Sequence, residues 1–282
     1  MGQNQAYNPA DGTFEIRDVA PGTYVITSQI AEANQQGIPA PQLPPGQGPP
    51  RPSASAPVTV SSADIDGVVL NIVNPLSIPG RLIVEGQELS SVQGFERIRV
   101  QLSQADSVPF TQSPQFQTLN SDGTFREDNA LPGLYRLSVV AMPPDFYIKE
   151  ARFDQNDVLN SPLAFNGSVR TALDIVISPR AGQIEGTIMN DKHEPAVGIQ
   201  VVLIPDLHRE RTDLYKASMS AANGHFNMRG ITPGDYKLFA WEALEQFAYF
   251  DSDLVQKFES QAKPVHVTES GKLTVEVSVI KE

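Results

Sequence analysis

The sequence contains no cysteine among its 282 residues. Disulfide frameworks, thiolate nucleophiles and cysteine-ligated zinc sites are therefore excluded. Histidine is rare, and none has a second histidine at helical or hairpin spacing: the four are His193, His208, His225 and His266. Nucleophile elbows of the Gly-x-Ser-x-Gly type, phosphate-binding loops and dinucleotide fingerprints are also missing. We therefore predict neither catalysis nor a bound cofactor or metal.

Long apolar runs and basic residues are also scarce. No apolar run approaches the roughly 20 residues that span a bilayer, so no membrane span is predicted. Residues 1–5 lack the basic and apolar regions of a signal peptide. Lysine and arginine number 21 against 33 aspartate and glutamate residues, a formal net charge of −12. This charge disfavours nucleic acid and anionic lipid as partners, because both are polyanions.

The sequence does contain a repeat, and its period is that of a domain. Each copy has an Asp-Gly or Asn-Gly pair, a Phe two residues after the Gly, then a Pro-Gly pair and a Tyr. The copies begin at Asp11, Asp122 and Asn223, and in each the proline follows ten residues later. Asp-Gly supplies the positive φ of a tight turn, and Pro-Gly supplies a second turn. The repeat therefore indicates two strands and the turns that precede them.

Apolar residues alternate in the segments around these turns. In the second copy Tyr135, Leu137 and Val139 share one face, which is the pattern of a strand with one buried side. The units Ile78-Pro79-Gly80 and Ile184-Glu185-Gly186 open the two later modules. Further strands are predicted at 98–102 and 199–203, and closing strands at 68–73, 173–177 and 273–279. One helix is predicted over 252–261, with Ser252 as its cap.

These elements divide the chain into three modules. Residues 76–179 and 180–282 are each predicted to form a complete sandwich, and residues 1–75 are predicted to hold the back half of a first one. Either the chain is a piece of a longer protein, or a strand from another copy completes the half-module in trans. Residues 37–57 are rich in proline and are predicted to form an extended surface loop. A polyproline ligand or a packing arm between subunits is the alternative.

The repeated signature, with Gly-Arg-Leu at Gly80 or Gly-Thr-Ile at Gly186 opening a module, resembles the carboxypeptidase regulatory-like domain family. The resemblance implies tandem seven-stranded, prealbumin-like (Ig-like) β-sandwiches, hence an all-β fold whose first sandwich is incomplete. It also implies accessory modules without an active site, in exported bacterial proteins of the cell envelope or extracellular space.

The turn pattern is also similar to Cna B-type adhesin domains, some of which form Lys–Asn isopeptide bonds beside a buried acid. Glu242 falls in the region where that acid would lie. Its spacing from Tyr236 is long, and no matching Lys and Asn pair stands out in the first and last strands. We therefore predict no isopeptide bond.

Aromatic residues near the end of the chain are the remaining candidate site: Trp241, Phe247, Tyr249 and Phe250. Exposed, they could stack on sugar rings or contact a protein; buried, they would cover one end of the last sandwich. The sequence favours a structural or interaction module whose partners are other copies of itself or envelope proteins. A carbohydrate-binding module with a polysaccharide ligand is the alternative.

Overall fold

The structure, a computed structural model, describes residues 5–29, 52–105, 116–165 and 171–280, together with 167 and 169. These residues form twenty strands and one short α-helix. Contacts divide the chain into two compact units, the first built mainly from residues 1–77 and the second from most of the chain after them. No helix in the described ranges is both long enough and apolar enough to cross a membrane.

The first unit contains two antiparallel strand pairs, β1 with β2 and β3 with β4. Their bounds are β1 (Gln5–Tyr7), β2 (Phe14–Ile16), β3 (Gly22–Gln29) and β4 (Ser53–Val60). The proline-rich loop predicted at 37–57 lies mainly outside the described residues. Its last part, 53–57, belongs to β4 and pairs with β3.

The closing strand predicted at 68–73 does not form. Val69 and Ile72 are 69% and 55% exposed, and only Val73 makes a β-bridge, to Ser53. In the later repeats the closing strand pairs in parallel with the opening strand of the same module. Within the described part of residues 1–75 no strand corresponds to that opening strand. Alternating apolar residues alone are not sufficient to make a strand when no neighbour offers hydrogen bonds.

The middle sandwich consists of two facing sheets in the order β11-β10-β13-β5-β8 and β12-β9-β6-β7. The strands are β5 (Leu76–Val84), β6 (Arg99–Gln104), β7 (Phe116–Thr118), β8 (Thr124–Ala130), β9 (Gly133–Val140), β10 (Tyr147–Phe153), β11 (Asn156–Asp157), β12 (Leu163–Phe165) and β13 (Leu173–Ser178). Leu82, Val100 and Ile175 are almost completely buried. They alternate with more exposed residues along their strands, as the sequence predicts.

The last sandwich has seven strands, in sheets of order β17-β14-β20 and β16-β15-β18-β19. Its elements are β14 (Gly182–Met189), β15 (Gln200–Pro205), β16 (Lys216–Met219), β17 (His225–Ile231), β18 (Gly234–Trp241), α1 (Ser252–Phe258), β19 (Lys263–Val267) and β20 (Lys272–Ser278). Ile184, Val201 and Leu238 meet in the core between the two sheets. The all-β prediction of tandem sandwiches is thus confirmed, and the middle one carries two strands more than the predicted seven, β10 and β11.

The Asp-Gly and Asn-Gly turns form as the sequence predicts. Gly12, Gly123 and Gly224 have φ of 74°, 82° and 74°, a region that favours glycine. In each turn the side-chain oxygen of the preceding residue accepts a hydrogen bond from the N–H two residues further on, at 3.0 to 3.1 Å. Both members of the pair therefore stabilise the turn.

The two repeated units of the sequence meet in one contact. A Cβ placed on Gly80 would lie 2.1 Å from Cζ of Phe125, and one on Gly186 would lie 2.8 Å from Cε1 of Phe226. Both phenylalanine rings are buried. The glycine of the opening strand thus leaves room for the phenylalanine of the adjacent strand, a pairing that sequence spacing does not reveal.

The repeated tyrosine closes the Pro-Gly turn. The Tyr236 hydroxyl donates to the carbonyl of Thr232 at 2.7 Å, and Tyr24 donates to Ala20 at 2.8 Å. In both copies the acceptor is the residue before the proline. Burial raises the pKa of Tyr236, so the ring keeps its donating proton. The tyrosine therefore fixes a turn as well as filling the core.

Candidate functional site

The connector between the last two sandwiches is very short. β13 ends at Ser178 and β14 begins at Gly182, which leaves Pro179, Arg180 and Ala181 between them. Proline has a fixed φ, so the connector has little freedom of its own. This brings the edge of the middle sandwich against turns of the last one, where three sets of contacts form.

The first set is a cluster of four alternating charges. Lys149 Nζ lies 2.6 Å from Glu85 and 3.1 Å from Glu269. Arg180 Nη2 lies 2.7 Å from Glu85 and 3.1 Å from Glu269. Glu85 follows β5 of the middle sandwich, while Glu269 sits in the turn before β20 of the last. Each cation therefore bridges one carboxylate from either side of the junction.

Two hydroxyl groups complete the cluster. Tyr147 donates to Glu269 at 2.7 Å, and Ser178 donates to Glu85 at 2.7 Å. The four charged side chains are 31% to 46% exposed, so any single pair contributes little to stability in water. What the cluster supplies is geometry, because every carboxylate is held by two cations and a hydroxyl.

The electrostatics of the cluster favour its charged state. The Lys149 hydrogen bond, with help from Ser178 and Arg180, lowers the pKa of Glu85 to about 2. Hydrogen bonds from Tyr147 and Lys149 also lower the pKa of Glu269. Burial, with the Glu269 hydrogen bond, raises the pKa of Tyr147 to about 12. The cluster is therefore fully formed across the neutral range.

The second set of contacts surrounds the loop after β9. Arg229 Nη2 donates to both carboxylate oxygens of Asp145, at 2.6 and 2.7 Å, and the backbone carbonyl of Asp145 accepts from Ala181 at 3.1 Å. Gly230 has φ of 68°, and a Cβ there would lie 2.7 Å from the carbonyl oxygen of Pro144. The close approach of the two backbones therefore depends on glycine at this position.

The third contact joins Arg211 of the last sandwich to Asn160 of the middle one, at 3.2 Å. The Arg211 side chain is only 9% exposed, and Asp213 holds its guanidinium at 2.6 Å. A buried, paired arginine keeps a fixed direction. The three sets together hold the two sandwiches in one arrangement.

None of these junction residues was singled out from the sequence. Glu85, Lys149 and Glu269 are charged residues in or beside strands and turns, which is where solvated charges normally occur. The short Pro-containing connector is the one signal that could have drawn attention to the junction.

The aromatic candidates lie on the far side of a sheet of the last sandwich. Trp241, at the end of β18, is completely buried; it stacks on Phe239 at 4.8 Å and meets Phe258 edge-on at 6.2 Å. Its Nε1 has no hydrogen-bond partner among the described residues. Trp241 therefore covers the sheet, as the core-packing interpretation has it, and presents no ring face to a ligand.

The other three candidates form a turn in front of α1. Tyr249 is buried and packs 4.7 Å from Phe250, whose ring also contacts Tyr215 at 4.8 Å. Phe247 and Phe250 are 58% and 41% exposed. Their ring centroids are 6.4 Å apart and their planes are inclined by 23°. These two rings are the part of the predicted site that a partner can reach.

The helix after this turn begins at Ser252, and its N-cap lies one residue before the predicted one. Asp251, not Ser252, is the N-cap, and its carboxylate accepts from the N–H groups of Asp253 and Leu254. Aspartate at this position satisfies helical donors that have no intrahelical partner. Val255 and Phe258 then pack against Trp241 in the cluster that covers the sheet.

Comparison with known proteins gives no family. No protein-family model and no curated protein matches this chain, so the family resemblance of the repeat stays a prediction. Among solved structures the chain is similar to a streptococcal ancillary pilin, at 11% identity and a TM-score of 0.32, covering 98% of this chain and 80% of that one. It is also similar to the minor pilin of Streptococcus agalactiae (16% identity, 72% of this chain and 94% of that one, TM-score 0.29).

A further similarity is to the major pilin subunit of Bacillus cereus, at 10% identity, covering 71% of this chain and 98% of that one, with a TM-score of 0.24. Similarities at this level define neither fold nor function. The fold is therefore described from the contacts within the chain itself.

Proposed function

We propose that this chain is a non-catalytic structural module of a secreted or cell-surface protein, in which the last two sandwiches act as one rigid segment. The observation that carries the proposal is the junction, where a three-residue connector is combined with three sets of polar contacts. The domain boundaries at 76–179 and 180–282 are part of it, since each of the four sheets takes its strands from one of these ranges. The surface location rests on the family resemblance of the repeat.

The rigidity can be measured with two nitroxide labels, because the chain has no cysteine to interfere. Thr118→Cys in the middle sandwich and Ala217→Cys in the last are exposed strand positions. Electron–electron double resonance at neutral pH should give a narrow, single distance distribution. A broad distribution in the unmodified junction would overturn the proposal.

A variant with Glu269→Ala and Arg229→Ala removes one partner from two of the three contact sets, and the distribution should broaden. The matched control is Lys272→Ala with Glu276→Ala, which removes the same two charge types from exposed positions of β20. The control should leave the distribution unchanged.

Association between copies is the second part of the proposal, and the edge of β20 supports it. Within the described residues β20 is bonded on one side only, to β14, whereas the corresponding β13 lies between β5 and β10. A strand edge of this kind offers N–H and C=O groups to a strand from another chain. Light scattering over a concentration series should show a mass that rises above 30.7 kDa. A constant mass at that value would rule this part out and leave the rigid junction untouched.

A further inference from the structure

We infer that the turn at residues 242–253, hereafter the aromatic turn, docks a basic polypeptide segment of a partner protein. The inference goes beyond the rigid junction and does not depend on it, since the aromatic turn follows β18 and shares no residue with the three contact sets. It rests on two exposed rings, the backbone that displays one of them, and the charge around them.

Phe247 lowers the stability of the chain in the absence of a partner. Its φ is 68°, in the left-handed region that a bulky residue rarely adopts, and its ring is more than half exposed. Glycine or asparagine would suit this backbone better. The contacts of Phe247 with Tyr249 and Phe250 leave more than half of the ring exposed, and the local conformation disfavours a phenylalanine, which points to a contact outside the chain.

The two exposed rings are held on a firm base. Tyr249 lies 6.3 Å from Phe247 and 4.7 Å from Phe250, and Tyr215 supports Phe250 from the side. The Tyr215 hydroxyl is fixed by the carbonyl of Arg209 at 3.1 Å. The rings of Phe247 and Phe250 are therefore presented in a defined arrangement, and little order has to be gained when a partner binds.

The charge of the aromatic turn selects the partner. Between 242 and 253 the sequence has the acids Glu242, Glu245, Asp251 and Asp253 and no lysine or arginine. All four are exposed, and none forms an ion pair with another described residue. A lysine or arginine over an aromatic face gains from the ring and from neighbouring carboxylates together. Anionic lipid and nucleic acid are repelled by the same charges. A neutral glycan donates hydrogen bonds to the carboxylates but has no opposite charge to pair with them.

The test is fluorescence anisotropy of a labelled decapeptide of alternating arginine and serine, with the aspartate–serine decapeptide and a chitin oligosaccharide as comparison ligands. We expect the arginine peptide alone to bind. Phe247→Gly and Phe250→Ala should each weaken binding about fivefold, the size of one cation–π contact. Phe116→Ala, an exposed phenylalanine on β7 of the middle sandwich, is the matched control and should leave binding unchanged.

Phe247→Gly also separates a binding role from a folding role. Because glycine relieves the positive φ, the variant should unfold at the same denaturant concentration as the parent or a higher one, as followed by Trp241 fluorescence. Arginine-peptide binding that is equal in the parent and in both ring variants would reduce the effect to the general negative charge and overturn the inference. Binding of the oligosaccharide instead, lost on Phe247→Gly, would overturn it in favour of a glycan.

Discussion

The middle and last sandwiches share one strand plan but differ in the segment inserted after one equivalent strand. After β9 the middle sandwich inserts the hairpin β10–β11, which pairs with β13 and extends that sheet. After β18 the last sandwich inserts the aromatic turn and α1. These lie on the outer face of its own four-stranded sheet, which contains β15 and β18. The hairpin supplies Tyr147 and Lys149 to the junction, while the second insertion carries the exposed rings. The repeat thus determines the core, and the insertions determine what each sandwich contacts.

The difference also appears in the burial of corresponding strands. In β6 the residues alternate between buried and more exposed, whereas in β15 every residue from Val201 to Pro205 is buried. Val202 and Ile204 face away from the main core, but they pack under Trp241 in a second apolar cluster.

The largest effect is expected from the residue that links this second cluster to its sheet. Trp241→Ala should destabilise the last sandwich by about 3–5 kcal/mol through loss of buried contacts and the cavity left behind. Trp241→Phe should cost clearly less, because the Nε1 donor has no partner to lose. Calorimetry of the intact chain measures both. If the unfolding temperature of the middle sandwich fell as far as that of the last one, the cluster would not stabilise the last sandwich alone.

The glycine–phenylalanine contact tests what the two sandwiches share. Gly80→Ala and Gly186→Ala should each destabilise by about 1–3 kcal/mol. At Gly80 the buried ring of Phe125 must move, and at Gly186 the new methyl group meets the backbone carbonyl of Val275 at 2.1 Å as well as the ring of Phe226. Denaturant titration followed by circular dichroism provides the comparison. A neutral result at both positions would mean that the rings, and at Gly186 the neighbouring strand, adjust without cost, and that the repeated glycine has another cause.

The hydrogen bond from the repeated tyrosine to the residue before the proline should have a smaller effect on stability, and one that depends on burial. Tyr236→Phe removes the hydrogen bond to Thr232 and should cost about 1 kcal/mol. In the first unit Tyr24 is 37% exposed, so water can replace its bond to Ala20 and Tyr24→Phe should cost less. Thermal unfolding of the two variants and the parent measures both losses of stability. A larger loss for Tyr24→Phe than for Tyr236→Phe would contradict this account of the tyrosine hydrogen bond.

Acid should loosen the junction without unfolding either sandwich. This is the smallest of the expected effects. The pKa of Glu85 is lowered to about 2, and that of Glu269 is lowered as well. The two carboxylates therefore make their full contribution to the stability of the junction above pH 4.5, the pKa of a glutamate in the unfolded chain. It is lost as the pH falls from 4.5 through about 2. The label-to-label distribution should broaden in that window while the circular dichroism of the strands persists. Broadening that begins above pH 6 would require a different group.

The sequence predicts the elements that depend on local patterns. Turns at Gly12, Gly123 and Gly224 require positive φ, and Asp-Gly or Asn-Gly indicates it. The buried faces of β6 and β9 follow from period-two alternation. The failed strand at 68–73 has the same alternation but lacks a parallel neighbour within the described residues, and pairing partners are not written in the strand itself.

The candidate site shows the same limit. Aromatic clustering drew attention to Trp241, Phe247, Tyr249 and Phe250, but burial divides them, and only the fold shows which rings are exposed. The junction was missed because Glu85 and Glu269 are 184 residues apart and are brought together only by the tertiary structure. Contacts of this kind depend on how two domains meet, which no local pattern encodes.

The central claim is that the last two sandwiches move as one body, and ¹⁵N relaxation of the intact chain at neutral pH tests it most directly. Amides of residues 76–178 and 182–278 should report the same overall tumbling time, one appropriate to the two sandwiches together. Two different and shorter times, each appropriate to a single sandwich, would contradict the claim and make the junction a hinge.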